Sequence, residues 1–160
     1  MKSLTVLVPI YNESRTLTEL VSQIDSMLSG VIAECIFIND GSTDNSGEVL
    51  AAALAQVSFK HQTLTQPNGG KSSAIKAGAK LVQSSHVIIL DADLELDTHD
   101  VVELWKVVQD GKAEVVFGYR HFLAQSAFTY RYAKGNLVIS NLYGLLFNEV
   151  VTDIMCGYKL

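Results

Sequence analysis

The most constraining feature of this chain is a regular alternation of short, continuously apolar runs with longer segments whose apolar residues recur at helical spacing. Leu4 to Ile10 is a near-continuous β-branched and apolar run, the pattern of a strand buried on both faces. Leu17, Leu20, Val21, Ile24, Met27 and Leu28 then fall on one helical stripe, with Gly30 as the stop. Cys35 to Ile38 predicts a second buried strand, and Ser42 and Thr43 offer caps for a helix running to about Gln56. Phe59 to Thr65 predicts a third strand, followed by a helix from Gly70 to about Gln83. Val87 to Leu90 predicts a fourth strand, and Val101, Val102, Leu104, Trp105 and Val108 the next helix. Val115 to Phe117 predicts a fifth strand, and a long apolar-rich helix runs from Thr129 to Phe147. Such alternation implies an α/β protein with a mostly parallel sheet covered by helices on both faces. The apolar residues of the last helix are expected in the core, with a membrane surface as the alternative.

In such folds ligands bind outside the carboxyl ends of the strands. Polar, glycine-rich and acidic clusters should therefore follow the strands, and five do. Tyr11-Asn12-Glu13 follows the first, Asn39-Asp40-Gly41-Ser42 the second and Pro67-Asn68-Gly69-Gly70-Lys71 the third. Asp91-Ala92-Asp93 follows the fourth and Gly118-Tyr119-Arg120 the fifth. Any one of them could be a turn; together they predict a site on one rim of the sheet.

A length of 160 residues, 48% apolar and 18% charged, fits one globular domain with a single core. The net charge of −5 and the lack of a basic stripe argue against a nucleic-acid partner and against a polybasic membrane patch. Cys35 and Cys156 have neither zinc spacing nor a redox motif and are expected to be reduced thiols of a cytoplasmic protein. Met1 to Leu4 runs straight into a strand without a signal-peptide pattern, and no apolar stretch is long enough for a membrane span.

Asp91-Ala92-Asp93-Leu94-Glu95 is the sharpest local signal. Carboxylates at i and i+2, leaving a buried strand, can chelate a hard cation that also grips phosphate oxygens, and Glu95 continues the alternation. Close carboxylates repel one another without a cation; the alternative is a loop in which Asp97 or Thr98 caps the next helix. In Asn39-Asp40-Gly41-Ser42-Thr43-Asp44, Asp-Gly makes a turn, yet Asp40 ends a buried strand where its charge needs a donor. A nucleobase imide or amino group would be one. Asn68-Gly69-Gly70-Lys71-Ser72 is not a phosphate loop of the Walker type, since position 65 is Thr65 where a glycine is required. Two glycines at a helix N-terminus with Lys71 could still approach a diphosphate, or make a plain turn into the helix. Arg120 is a candidate phosphate-binding cation, as is Arg131 for an acceptor, with surface exposure the default for both. His61, His86, His99 and His121 form no ligand pair, and no serine sits in a nucleophile elbow.

These residues resemble the family 2 glycosyltransferases of the GT-A fold. Val8-Pro9-Ile10-Tyr11-Asn12-Glu13 is similar to that family's opening strand and donor-binding turn, Asn39 to Asp44 to its second motif, and Asp91-Ala92-Asp93 to its metal-binding Asp-x-Asp. Asp93 to Asp97, Phe117 to Arg120, Gly135-Asn136 and Thr152 to Lys159 resemble the dolichol- and polyprenol-phosphate sugar synthases within it. The resemblance implies a Rossmann-like, mostly parallel sheet sandwiched by helices, and one catalytic domain over residues 1–160, cut short relative to the family at its C-terminal end. It also implies an inverting transfer of a hexose from a nucleotide-diphosphate sugar, of GDP-mannose or UDP-glucose type, to a polyprenol phosphate in cell-envelope glycan synthesis. Pro9, Tyr11, Glu13 and Asp40 would hold the donor's base and ribose, and Gly41, Ser42, Lys71, Asp91, Ala92 and Arg131 would be further donor-binding residues. Asp91, Asp93 and Glu95 would bind magnesium or manganese, and Arg120 and Arg131 would meet donor or lipid phosphate. Asp93, Arg120 and Asp153 would carry the catalytic roles, Asp153 as a base if the acceptor is a sugar hydroxyl. A cytoplasmic location is implied, with peripheral contact at the cytoplasmic face of a membrane. The chain departs from the usual Gly-Ser-Arg at Gly118-Tyr119-Arg120.

Three other readings remain in view. A phosphatase with an Asp-x-Asp nucleophile pair expects the motif after the first strand, not the fourth. A polysaccharide or glycan acceptor could replace the lipid. A fragment could bind nucleotide sugar without turnover.

Overall fold

A computed structural model describes residues 2–119 and 127–160, with side chains in the second stretch from Tyr132 onward. Four strands, β1 (Leu4–Ile10), β2 (Glu34–Asn39), β3 (His61–Thr65) and β4 (His86–Ile89), alternate with α1 (Leu17–Leu28), α2 (Ser46–Leu54), α3 (Lys71–Ala79) and α4 (His99–Gln109). A long helix, α5 (Ala127–Phe147), follows. The sheet order is β3-β2-β1-β4 and every pairing is parallel. The chain therefore winds outward from β1 to β3 on one side and crosses back to place β4 on the other. That reversal, between β1 and β4, is where an open parallel sheet leaves a crevice at its carboxyl edge.

Strand alternation divides the core in two. Leu4, Val6, Val8 and Ile10 of β1, with Cys35 and Phe37 of β2, point to the face covered by α1, α2 and α4, where Leu20, Ile24, Leu50, Val101 and Trp105 meet them. Leu7, Ile36 and Ile38 point to the opposite face, under Ala74 of α3. Gly78 lets α3 lie close: a Cβ there would stand 2.7 Å from Ile38 Cδ1. The double covering explains why β1 and β2 read as unbroken apolar runs rather than alternating ones.

Several boundaries differ from the expectations. Met27 lies off the buried stripe of α1 and is 41% exposed. Helix α2 begins at Ser46 with Asn45 at its N-cap, rather than Ser42 or Thr43, because Asp44 Oδ1 accepts the Ser46 amide (2.9 Å) while the preceding residues are bonded across to the β1 loop. Helix α3 ends at Ala79, and Leu81 and Val82 pack under the sheet from the turn that follows. The expected fifth strand is no part of the sheet among the described residues. Phe117 makes one antiparallel bridge with Lys159, with Val116 and Leu160 exchanging backbone hydrogen bonds at 2.8 and 3.0 Å. The reason is non-local: Tyr158 and Leu160 are buried, and anchoring them brings the chain end alongside residues 116–118. The placement of α5's apolar side chains in the core is also overturned, since Leu137, Val138, Leu142, Leu145 and Leu146 are all more than half exposed. Among the described residues no helix is long and apolar enough to cross a membrane.

Candidate active site

A cleft of about 400 Å³ opens at the carboxyl ends of β1, β2 and β4 and the N-terminus of α3. Pro9, Tyr11 and Glu13 enter it from β1, Asp40 from β2, Asn68, Gly70, Lys71 and Ala74 from the α3 side, and Asp91, Ala92 and Asp93 from β4. Four of the five clusters thus converge, as strand polarity requires.

The loops after β1 and β2 are stapled together. Asn12 takes a left-handed backbone (φ 58°), from which its Oδ1 accepts the amides of Thr43 at 2.8 Å and Asp44 at 3.3 Å. In return Ser42 Oγ accepts the Asn12 amide (3.1 Å), Ser46 Oγ that of Glu13 (2.9 Å) and Asp44 Oδ2 that of Ser14 (3.3 Å). Hydrogen bonds from the Ser46 hydroxyl and amide, with further ones from Ser14, outweigh the desolvation of Asp44 and pull its carboxyl down to about 2. Ser42 therefore shapes the loop after β1 by accepting the Asn12 amide.

Asp40 is buried, and its charge is met from within the protein. Oδ1 accepts Gln66 Nε2 at 2.6 Å and the Gly69 amide at 3.0 Å, and Oδ2 accepts the Gly70 amide at 2.7 Å. Burial raises its pKa, but the bonds from Gln66, Gly69 and Gly70 together outweigh that and hold it below the ordinary carboxylate value. Each oxygen offers two acceptor directions, so one on Oδ2 remains for a ligand's donor. Gly41, at φ 68°, makes the approach possible, since a Cβ there would stand 2.7 Å from the Asn68 amide nitrogen. Asp40 thus ties the β2 loop to the glycine turn that starts α3.

The acidic side is arranged differently from a three-carboxylate shell. Asp91 Oδ1 lies 2.6 Å from Lys71 Nζ. Asp93 Oδ1 accepts the Glu95 amide (3.0 Å), a turn that Leu94 completes at φ 61°. Asp91 and Asp93 line the cleft; Glu95 is exposed and does not. As arranged, no three of His, Cys, Asp and Glu among the described residues stand close enough to hold a metal ion. The chemistry of the donors nevertheless fits a hard cation. Partial burial, with added repulsion from Asp93, Asp44 and Asp91, raises the pKa of Glu13 despite its hydrogen bond from Thr16. A cluster of that charge is one that a divalent ion would stabilise.

Gly118 and Tyr119 are outside this cleft and line a separate one with Leu96, Cys156 and Tyr158. Arg120 lies outside the described residues, and Arg131 sits in α5 with its side chain outside them. Asp153 is 3% exposed, accepts the Met155 amide at 3.1 Å and is not among the residues lining the cleft. The alternative role of the β4 loop is realised beside it: Asp97 Oδ1 accepts the His99 amide (2.9 Å) and caps α4. Gln66 and Ala74 were not legible as site residues, whereas Asn68 belonged to the third cluster. A Cβ on Gly157 would stand 3.2 Å from Asp91 Oδ2, so the closing segment abuts the acidic turn. Gly157 had a signal in the closing motif; Gln66 had none, since its meeting with Asp40 depends on the pairing of β2 with β3.

The profile of glycosyl transferase family 2 matches residues 5–159. An undecaprenyl-phosphate 4-deoxy-4-formamido-L-arabinose transferase of Serratia proteamaculans is 36% identical over 114 residues, 69% of this chain and 35% of that protein. The glycosyltransferase GlyG of Streptococcus pneumoniae is 34% identical over 115 residues, 72% of this chain and 38% of that one. This chain thus spans about a third of the length of the curated relatives it matches. A glucosyl-3-phosphoglycerate synthase of Mycobacterium tuberculosis, solved with Mn2+, uridine diphosphate and glucosyl-3-phosphoglycerate, superposes with a TM-score of 0.71 at 20% identity, over 99% of this chain and 56% of that one. The chain belongs to glycosyltransferase family 2. Its fold is GT-A, a Rossmann-like parallel sheet with helices on both faces.

Proposed function

We propose that this chain is the catalytic domain of a metal-dependent, inverting glycosyltransferase that moves a hexose from a nucleotide-diphosphate sugar to a polyprenol phosphate. The observation carrying this reading is the convergence of Pro9, Tyr11, Glu13, Asp40, Lys71, Asp91, Ala92 and Asp93 on one cleft at the sheet's reversal point. The named acceptor of the Serratia relative supports the lipid phosphate. Nucleotide and Mn2+ in the mycobacterial synthase support the donor and the ion class, Mg2+ or Mn2+.

On this reading Tyr11, 46% exposed, offers its ring to the base, and Asp40 takes a base donor at its remaining acceptor direction. Gly41 and Ser42 hold the loop that frames the ribose. Asp91 and Asp93 would hold the cation from the wall of the cleft, which Glu95 does not line. When bound, the cation offsets charge growing on the departing nucleoside diphosphate. Lys71, at the start of α3, exchanges Asp91 for a diphosphate oxygen, and Arg120 and Arg131 serve donor or lipid phosphate. A lipid phosphate is already anionic, so its oxygen can attack the anomeric carbon without a strong base. A glycan hydroxyl would need one, and the burial of Asp153 behind the Met155 amide favours the phosphate acceptor. The setting is cytoplasmic, at the face of the membrane where a polyprenol phosphate presents its headgroup.

Calorimetric titration with UDP and GDP, each with manganese and with chelator, tests the donor site. Metal-dependent binding of one nucleotide supports it and selects the base; no binding of either by a folded sample sinks it. Radiolabelled sugar transfer, with and without polyprenol phosphate, then separates a working transferase from a domain that only binds its donor.

A further inference from the structure

We propose that Tyr158, together with Gly157, is a positioning residue for the acidic turn after β4, and so sets the geometry in which Asp91 and Asp93 meet a cation. The inference rests on the metal-dependent reading above and deepens it. The turn is a long excursion fastened at its two ends. On the strand side the Leu90 amide donates to the Leu7 carbonyl at 2.9 Å. On the helix side Asp97 caps α4, its Oδ1 taking the His99 amide (2.9 Å) and its carbonyl the Asp100 amide (3.0 Å). Between them the chain reverses at Leu94, with Asp93 Oδ1 accepting the Glu95 amide.

The closing segment holds this turn from outside. Tyr158 is buried, and its hydroxyl donates to the Asp97 carbonyl at 2.7 Å, filling the second acceptor direction of an oxygen that already takes the Asp100 amide. Burial, with the charges of Asp100 and Asp97, pushes the Tyr158 phenol up, which keeps the hydroxyl protonated and donating. One residue earlier, Gly157 lies against both limbs of the turn. A Cβ there would stand 3.0 Å from Leu96 Cδ1 and 3.2 Å from Asp91 Oδ2. Asp91 is thus confined between Gly157 at one oxygen and Lys71 Nζ, 2.6 Å from the other.

The brace is itself anchored. The Tyr158 carbonyl accepts the Gly118 amide at 2.9 Å, Val116 and Leu160 exchange backbone bonds beside it, and the Ile154 amide donates to Ser140 Oγ at 3.1 Å. A segment fixed at these points does not follow a swinging turn, so the turn conforms to the segment. That matters for a hard cation, whose affinity depends on carboxylate oxygens placed beforehand by the groups around them.

The test is Mn2+ titration followed by electron paramagnetic resonance, well below the melting temperature, on the wild type, Tyr158→Phe, Gly157→Ala and Ile24→Val. Tyr158→Phe keeps the buried ring and removes only the donor; the expected result is Mn2+ binding about fivefold weaker. Gly157→Ala should bind Mn2+ more weakly still, because the added Cβ displaces Asp91. Ile24→Val is the control: it removes one buried methyl from α1 and costs a similar amount of stability. It should melt lower and keep the wild-type affinity for Mn2+. Wild-type affinity in Tyr158→Phe or Gly157→Ala, whatever their melting temperatures, overturns the brace, since Tyr158 would then only pack the core. Equal weakening in Ile24→Val also overturns it, by tracing the effect to lost stability. A wild type that takes up no Mn2+ removes the metal reading and the brace together. Nucleotide titration on the same samples separates the two: the expected Mn2+ pattern without binding of UDP or GDP sinks the transferase reading and leaves the brace standing.

Discussion

Lys71 Nζ stands 2.6 Å from Asp91 Oδ1, joining the first turn of α3 to the acidic turn after β4. The ammonium thus neutralises a carboxylate that the proposed mechanism reserves for a divalent ion. Both partners keep contact with water, at 54% and 24% side-chain exposure, so the pair contributes less than about 1 kcal/mol and is readily exchanged. Lys71→Met should leave the fold intact, tighten Mn2+ binding several-fold by removing a competing cation, and weaken nucleoside-diphosphate binding about tenfold. Electron paramagnetic resonance titration of Mn2+ and calorimetry of the nucleotide read the two effects separately. Weaker Mn2+ binding in the variant would contradict the competition.

Glu13 carries a raised pKa from partial burial and from the charges of Asp93, Asp44 and Asp91. Glu13→Gln removes one member of this repulsive set. The cation-free protein should melt roughly 1–2 °C higher, as about half a kcal/mol would produce in a domain of this size. The stabilisation gained on adding Mn2+ should shrink. Thermal melts with Mn2+ and with chelator test both parts; unchanged melting in chelator removes the repulsion from the account.

Acid should open the loops after β1 and β2 first. Asp44, pulled to about 2 from an ordinary 3.8, and Asp40, also below its ordinary value, favour the folded state while ionised. Their contribution is present above the unfolded value and is lost as pH falls through the folded ones, between about pH 4 and pH 2. Asp44→Asn should be less stable at neutral pH and lose less stability across that window. Melting temperatures measured from pH 7 to pH 2 check the sign.

Gly41→Ala meets two obstacles: a backbone at φ 68° and a Cβ 2.7 Å from the Asn68 amide nitrogen. The expected loss is about 3 kcal/mol, combining left-handed strain with overpacking against backbone. Nucleotide binding should fall with it, because the same shift pulls Gly69 and Gly70 from Asp40. Urea unfolding reads the stability term; a loss under 1 kcal/mol would mean the loops part easily.

Much of the architecture was written into the sequence by itself. Continuous apolar runs can only be strands covered on both faces, and a stripe such as Leu17, Leu20, Val21, Ile24 and Leu28 can only bury one side of a helix. Strand polarity then fixed which loops share a rim, and so brought Tyr11, Asp40, Lys71 and Asp91 into one list before any geometry was known. These are local regularities, set by the repeats of the backbone. Which partner each polar group takes is a non-local matter, decided by packing. The pairing of β2 with β3 brings Gln66 to Asp40; the depth of α3 brings Lys71 to Asp91. The burial of Tyr158 and Leu160 turned a predicted strand into a bridge, and one serine bonded to Ile154 turned the apolar side of α5 to the outside. Periodicity counts apolar residues on a helix without saying which face meets the body, and only the directed bonds of the tertiary structure settle that choice.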